Sequence, residues 1–176
     1  MSASGKTVLV ALTLVVAGAC CGCHGLRQGD SQRGNLPPKD QIRHVVCLFD
    51  SKPWLNLDRA GDRDPEGLWY RVYLKTADDR GVLRDGQLDV EMYRIDRDEQ
   101  GNETRTLVAD WHYPTSAFDV IDRAGVLGQG YVLKFSWRKD MDLPGSEIEI
   151  ITVFTDEYGN TARSSTYSLR IPKGKT

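Results

Sequence analysis

Asp110, His112 and Ser116, with Asp119 as a second candidate acid, are the residue types a hydrolytic triad needs. Such a triad requires a nucleophile, a general base and a carboxylate that orients the base. Asp110 and His112 would share one strand face, two residues apart. No G-x-S-x-G elbow surrounds Ser116 and no oxyanion-hole pattern accompanies it. These residues are therefore expected to be structural, and no enzymatic activity is expected. Glu147 and Glu149 also share a strand face, but glycosidase carboxylates face each other across a cleft. They read as a solvent-facing or edge-protecting row.

Acidic loops raise the question of a cation. Asp58, Asp62, Asp64 and Glu66 fall in one loop and could offer hard oxygen ligands to Ca²⁺. Arg59 and Arg63 lie among them and EF-hand spacing is absent. Asp96 and Asp98, followed by Gly101 and Asn102, lack the distal bidentate glutamate. Both stretches are expected to be surface loops. Cys20, Cys21, Cys23 and His24 would need a second ligand pair to hold zinc, and His44, Cys47 and His112 are scattered singly. No metal or cofactor is expected.

Trp69, Arg71, Tyr73 and Tyr93 form the candidate ligand-binding surface. If strands over Leu68 to Thr76 and Gln87 to Ile95 pair in one sheet, these side chains share its outer face with Lys75, Asp89 and Glu91. Rings flanked by polar groups can stack on sugars or receive a partner protein. The alternative is that the loop from Asp50 to Gly67 covers them, or that they form cross-strand pairs.

The N-terminus belongs to targeting and not to the fold. Lys6 precedes an uncharged apolar run from Thr7 to Ala19, shorter than the about 20 residues a spanning helix takes. The run has the length of a secretory h-region. It ends in Val16-Ala17-Gly18-Ala19-Cys20, small residues directly before a cysteine. This segment resembles the signal peptide and lipobox of bacterial lipoproteins, departing from the commonest pattern in carrying Ala17 three positions before the cysteine. The resemblance implies lipid transfer to the Cys20 thiol, cleavage before Cys20 and acylation of the new amino terminus. Several acyl chains anchor stably, each buried CH₂ adding about 0.8 kcal/mol. A cleaved signal peptide without lipid, and an uncleaved anchor, are the alternatives. Cys21 after Cys20, by resemblance to lipoprotein sorting, favours the outer membrane. Residues 20–41, rich in Gly, Pro, Asn and charge, read as a disordered tether from the membrane to a domain over 42–172.

That domain must be β-rich to use these residues at all. The run Glu147 to Phe154 places Ile148, Ile150, Thr152 and Phe154 on one face and Ile151 and Val153 on the other, as in a strand buried on both sides. Asp156 to Asn160 supplies a turn, and Tyr167, Leu169 and Ile171 alternate on the return. Earlier runs alternate likewise: Leu68, Tyr70, Val72 and Leu74; Leu88, Val90 and Met92; Leu107, Ala109 and Trp111; Tyr131, Leu133, Phe135 and Trp137. Trp54, Leu55 and Leu57 are expected to pin the long polar loop that begins at Asp50. Pro114 to Gly130 breaks the rhythm and reads as a short helical turn or a crossover.

Seven such strands, counting one over Ile42 to Phe49, predict an all-β, antiparallel two-sheet sandwich. It looks like an immunoglobulin- or fibronectin-type domain in strand count, without the Cys…Trp…Cys framework; a β-barrel is the competing architecture. Cys47 is expected to be a small buried hydrophobe, with a bridge to Cys21 or Cys23 left open. Charged residues make up 27% of the chain, the hydrophobic set 40%, and the formal net charge is -2. That balance is ordinary for a globular domain and offers no nucleic-acid surface. The expected partners are the membrane, through the lipid, and an envelope protein or glycan.

Overall fold

The computed structural model describes residues 37, 39–57 and 64–173, without the side chains of 123–125. Cys20, the segment before it, most of the tether and Asp58 to Arg63 lie outside the described residues. Eleven strands are present among the described residues: β1 (His44–Leu48), β2 (Trp54–Leu55), β3 (Gly67–Lys75), β4 (Gly81–Val82), β5 (Gly86–Arg97), β6 (Glu103–Pro114), β7 (Asp119–Gly125), β8 (Gly128–Ser136), β9 (Glu147–Asp156), β10 (Thr161–Arg163) and β11 (Tyr167–Arg170).

They form two sheets packed together. In the first, β3 has β1 and β2 on one side and β8 and β4 on the other, with β7 beyond β8. In the second, β9 has β10 and β11 on one side and β5 on the other, with β6 beyond β5. All pairings are antiparallel except a parallel contact of Gly81 with Gly128. The core lies between the sheets and takes the alternate residues of each long strand: Leu68, Tyr70, Val72 and Leu74 of β3, Leu88, Val90 and Met92 of β5, Tyr131, Leu133 and Phe135 of β8, and Ile148, Ile150 and Phe154 of β9.

Four expectations need correction. The stretch after Pro114 is not a loosened crossover: a 3₁₀ turn at Thr115–Ala117 leads into β7, which makes a hairpin with β8. Leu107 does not point inward. The register between β5 and β6 shifts at Met92/Tyr93, so Met92 faces Ala109 and Tyr93 faces Leu107. The extra residue, Val108, packs with Ala109 and Trp111 against the core, and Leu107 is turned outward. A bulge reverses the in–out alternation beyond it. Leu57 pins nothing; it is 58% exposed, while Trp54 and Leu55 are held by β3. Finally, β9 has strands on both sides, so Glu147 and Glu149 protect no edge.

The return after β9 is split. Ser164 donates its N–H to the Thr152 carbonyl, while its hydroxyl oxygen, in the place of a carbonyl, accepts the Thr152 N–H at 3.0 Å. Asp156 makes the turn before it. Its Oδ1 accepts the backbone N–H of Tyr158 and Asn160, and its Oδ2 accepts the Asn160 amide. Gly159 then takes φ of +84°. The β5–β6 turn is built the same way from Asp98, Gly101 and Asn102. An Asx-type turn of this kind uses up the carboxylate oxygens, which accounts for Asp98 without a cation.

Candidate binding surface

The four residues expected to form one surface are divided between the sheets. Trp69, Arg71 and Tyr73 lie on the outer face of the first sheet, because β3 pairs with β1 and β8. Tyr93 lies on the outer face of the second, because β5 pairs with β6 and β9. Two strands close in sequence entered different layers. Tyr73 is also covered, at 4% exposure. Its ring lies against Gly130, where an added Cβ would come within 2.9 Å of the ring edge and 2.5 Å of the Val72 carbonyl oxygen. The ring fills the place a side chain would take. Arg71 pairs with Asp50. Trp69 is half-buried, its N–H donating to the Pro53 carbonyl. No stacking platform is assembled from the three rings.

The outer face of the second sheet is a ladder of paired charges. Arg105 bridges to Glu149 at 3.0 Å and lies 3.7 Å over the Tyr93 ring. The Tyr93 hydroxyl donates to Glu91 at 2.9 Å. Arg97 joins Glu147 and Glu103. Ile151, in register with Glu91, is buried on this face although it points away from the core. His112 stands between two acids, Nδ1 at 2.7 Å from Asp89 and Nε2 at 2.8 Å from Asp110. Those hydrogen bonds, Asp89 first, raise its pKa above the ordinary histidine value.

This geometry cannot run a triad. A general base needs one ring nitrogen free for the proton of the nucleophile. Both nitrogens of His112 are engaged by carboxylates, and Ser116 lies elsewhere, in the 3₁₀ turn. Among the described residues, no group of three or more His, Cys, Asp or Glu side chains gathers to hold a metal ion.

Ser116 belongs instead to the flank where β6 of one sheet and β7 of the other are both outermost strands. Tyr113, Phe118, Phe135 and Trp111 pack together there, with ring centroids 4.9 Å to 6.2 Å apart. Edge-to-face and offset pairs of this kind hold an aromatic cluster together. Leu107, Tyr113 and Val120 are 51%, 42% and 50% exposed on the two strands, so the flank is apolar to solvent. Two clefts meet at Phe118. One, of about 340 Å³, runs past Arg84, Ser116, Val120 and Glu157; the other, of about 190 Å³, runs past Tyr113, Asp119 and Lys134. Apolar side chains beside a free strand edge suit contact with another polypeptide. Sequence patterning missed this flank, because which strands become outermost is settled by tertiary pairing.

No family model, no curated protein and no solved structure matches the chain at a significant level.

Proposed function

We propose that this chain is a non-enzymatic, lipid-anchored lipoprotein of the bacterial cell envelope whose β-sandwich is a binding module. The observation that carries the anchor is the run Val16-Ala17-Gly18-Ala19-Cys20 closing an uncharged apolar segment behind Lys6. The binding role is supported by the apolar flank of β6 and β7, and the non-enzymatic one by an imidazole with both nitrogens engaged. The partner is an envelope protein or envelope component. A carbohydrate-binding role through Trp69, Tyr73 and Tyr93 is not carried forward, because the rings lie on two faces and one is covered.

An immunoglobulin-like arrangement of the sandwich forms part of the same proposal. Strands β1, β3, β8 and β7 stand in the order A-B-E-D of such domains, and β10/β11, β9 and β5 in the order G-F-C, with β6 added beyond C. Antibody domains join strands B and F by a disulfide. Here the corresponding β3 and β9 are joined by a hydrogen bond from Tyr70 to Thr152.

The test is expression of the full chain in a bacterial host with labelled palmitate, followed by membrane fractionation and mass determination of the mature amino terminus. The wild type is expected to carry label and to begin at an acylated Cys20, and Cys20→Ala to lose the label. An unlabelled wild type, or a mature chain still beginning at Met1, would end the proposal.

A further inference from the structure

β6 is twelve residues long, pairs with β5 along its length and has no strand on its other side among the described residues. Such an edge keeps alternate N–H and C=O groups ready for another strand. The bulge gives β6 a particular facing pattern, symmetric about the Val108–Ala109 bond. Val108 and Ala109 both face inward, and Leu107 and Asp110 outward. Thr106 and Trp111 lie on the inward side, Arg105 and His112 on the outward side. Two antiparallel copies of a bulged strand set outward side chains against inward ones in most registers. With Val108 of one copy opposite Ala109 of the other, every pair matches.

We infer that β6 pairs with β6 of a second copy of this chain about a two-fold axis at Val108–Ala109, joining two five-stranded sheets into one. Charge supports this register. Arg105 comes opposite the partner's His112, which carries two carboxylates, Asp89 and Asp110, around one imidazole. A guanidinium thus meets a group with acid in excess. Leu107, 51% exposed, becomes a diagonal neighbour of the partner's Leu107 and loses its contact with water. The two bulges meet at the axis, so the new ladder runs as two arms, one on each side. An isologous contact of this kind closes at two copies. The inference does not rest on the lipid anchor.

The experiment uses the full chain in mild detergent, with protein mass measured by light scattering after subtraction of the detergent share. The wild type is expected to be a dimer. Leu107→Asp and Leu107→Lys each place like charges across the axis, and each is expected to be monomeric. Mixed together they are expected to dimerise again. Leu107 is half-exposed in one copy, so circular dichroism of both variants should match the wild type. A monomeric wild type overturns the pairing and leaves the edge to an extended segment of a different protein. Dimers retained in both single variants, or a mixture that stays monomeric, overturn it too.

Discussion

The hydroxyl of Tyr70 on β3 lies 2.9 Å from Oγ1 of Thr152 on β9, so a hydrogen bond crosses between the two sheets inside the core. Both residues are fully buried. The Cys47 thiol donates to the same Oγ1 at 3.4 Å. A polar group left without a partner in such a place costs about 1–3 kcal/mol. Thr152→Val strands the Tyr70 hydroxyl and the thiol together, and should cost about 2–3 kcal/mol in urea unfolding. Tyr70→Phe removes one partner and leaves Thr152 the thiol, so about 1 kcal/mol is expected. The double variant should be clearly more stable than the sum of the two predicts. Simple additivity would mean that the two groups are not coupled.

Cys47 should be inert in the native chain. Burial pushes its thiol up to about 11, with Thr152 and Ser164 pulling weakly the other way. A thiol reacts as its thiolate, and at pH 8 almost none is present. Peptide mapping after alkylation should find Cys47 unlabelled in buffer and fully labelled in denaturant. A bridge to Cys21 or Cys23 would have to draw the sulfur out of the core. Rapid native labelling, or recovery of Cys47 in a disulfide, would contradict its placement.

The twin turns separate by burial. Asp98 is exposed, and the Asn102 amide and N–H hold its carboxyl below the usual carboxylate range. Asp156 is 7% exposed and makes the same set of bonds in a drier place. Bonds to a charged acceptor contribute about 1.5–3 kcal/mol when sheltered and less in water. Asp156→Ala should lower the melting temperature well beyond Asp98→Ala. Equal losses would show that burial of the turn does not matter.

The inward residues of β3, β5, β8 and β9 were legible because period two is a local property: Leu68 and Tyr70 face one way whatever their neighbours are. What alternation does not encode is the neighbour. β3 and β5 are joined by a short connection that looks like a hairpin, yet Leu74 pairs with Val45 and Val82, and Leu88 with Tyr113 and Phe154. That choice of sheet divided Trp69 from Tyr93. The bulge at Tyr93 was hidden because Leu107 and Val108 are both apolar and either could have faced the core. β7 was hidden because Val120 is exposed, so no buried face marks the strand. The repeated turn was readable: Asp98-Glu99-Gln100-Gly101-Asn102 and Asp156-Glu157-Tyr158-Gly159-Asn160 share four of their residue types.

His112 should make stability depend on pH near neutrality. Hydrogen bonds to Asp89 and then Asp110 favour the imidazolium, so the native pKa lies above the unfolded value of about 6.5. A group raised on folding binds its proton more tightly in the native state. Its contribution is therefore fully present below the unfolded value and is lost as pH rises through the higher native one. The side chain is well exposed, so the effect should be small and weakened by salt. Imidazole resonances followed by NMR should titrate above the ordinary value in the wild type, and closer to it in Asp89→Asn. Asp110→Asn should move the midpoint the same way by less, since Asp89 is the stronger influence. A wild-type midpoint at or below the ordinary value would show that the two carboxylates do not hold the ring between them.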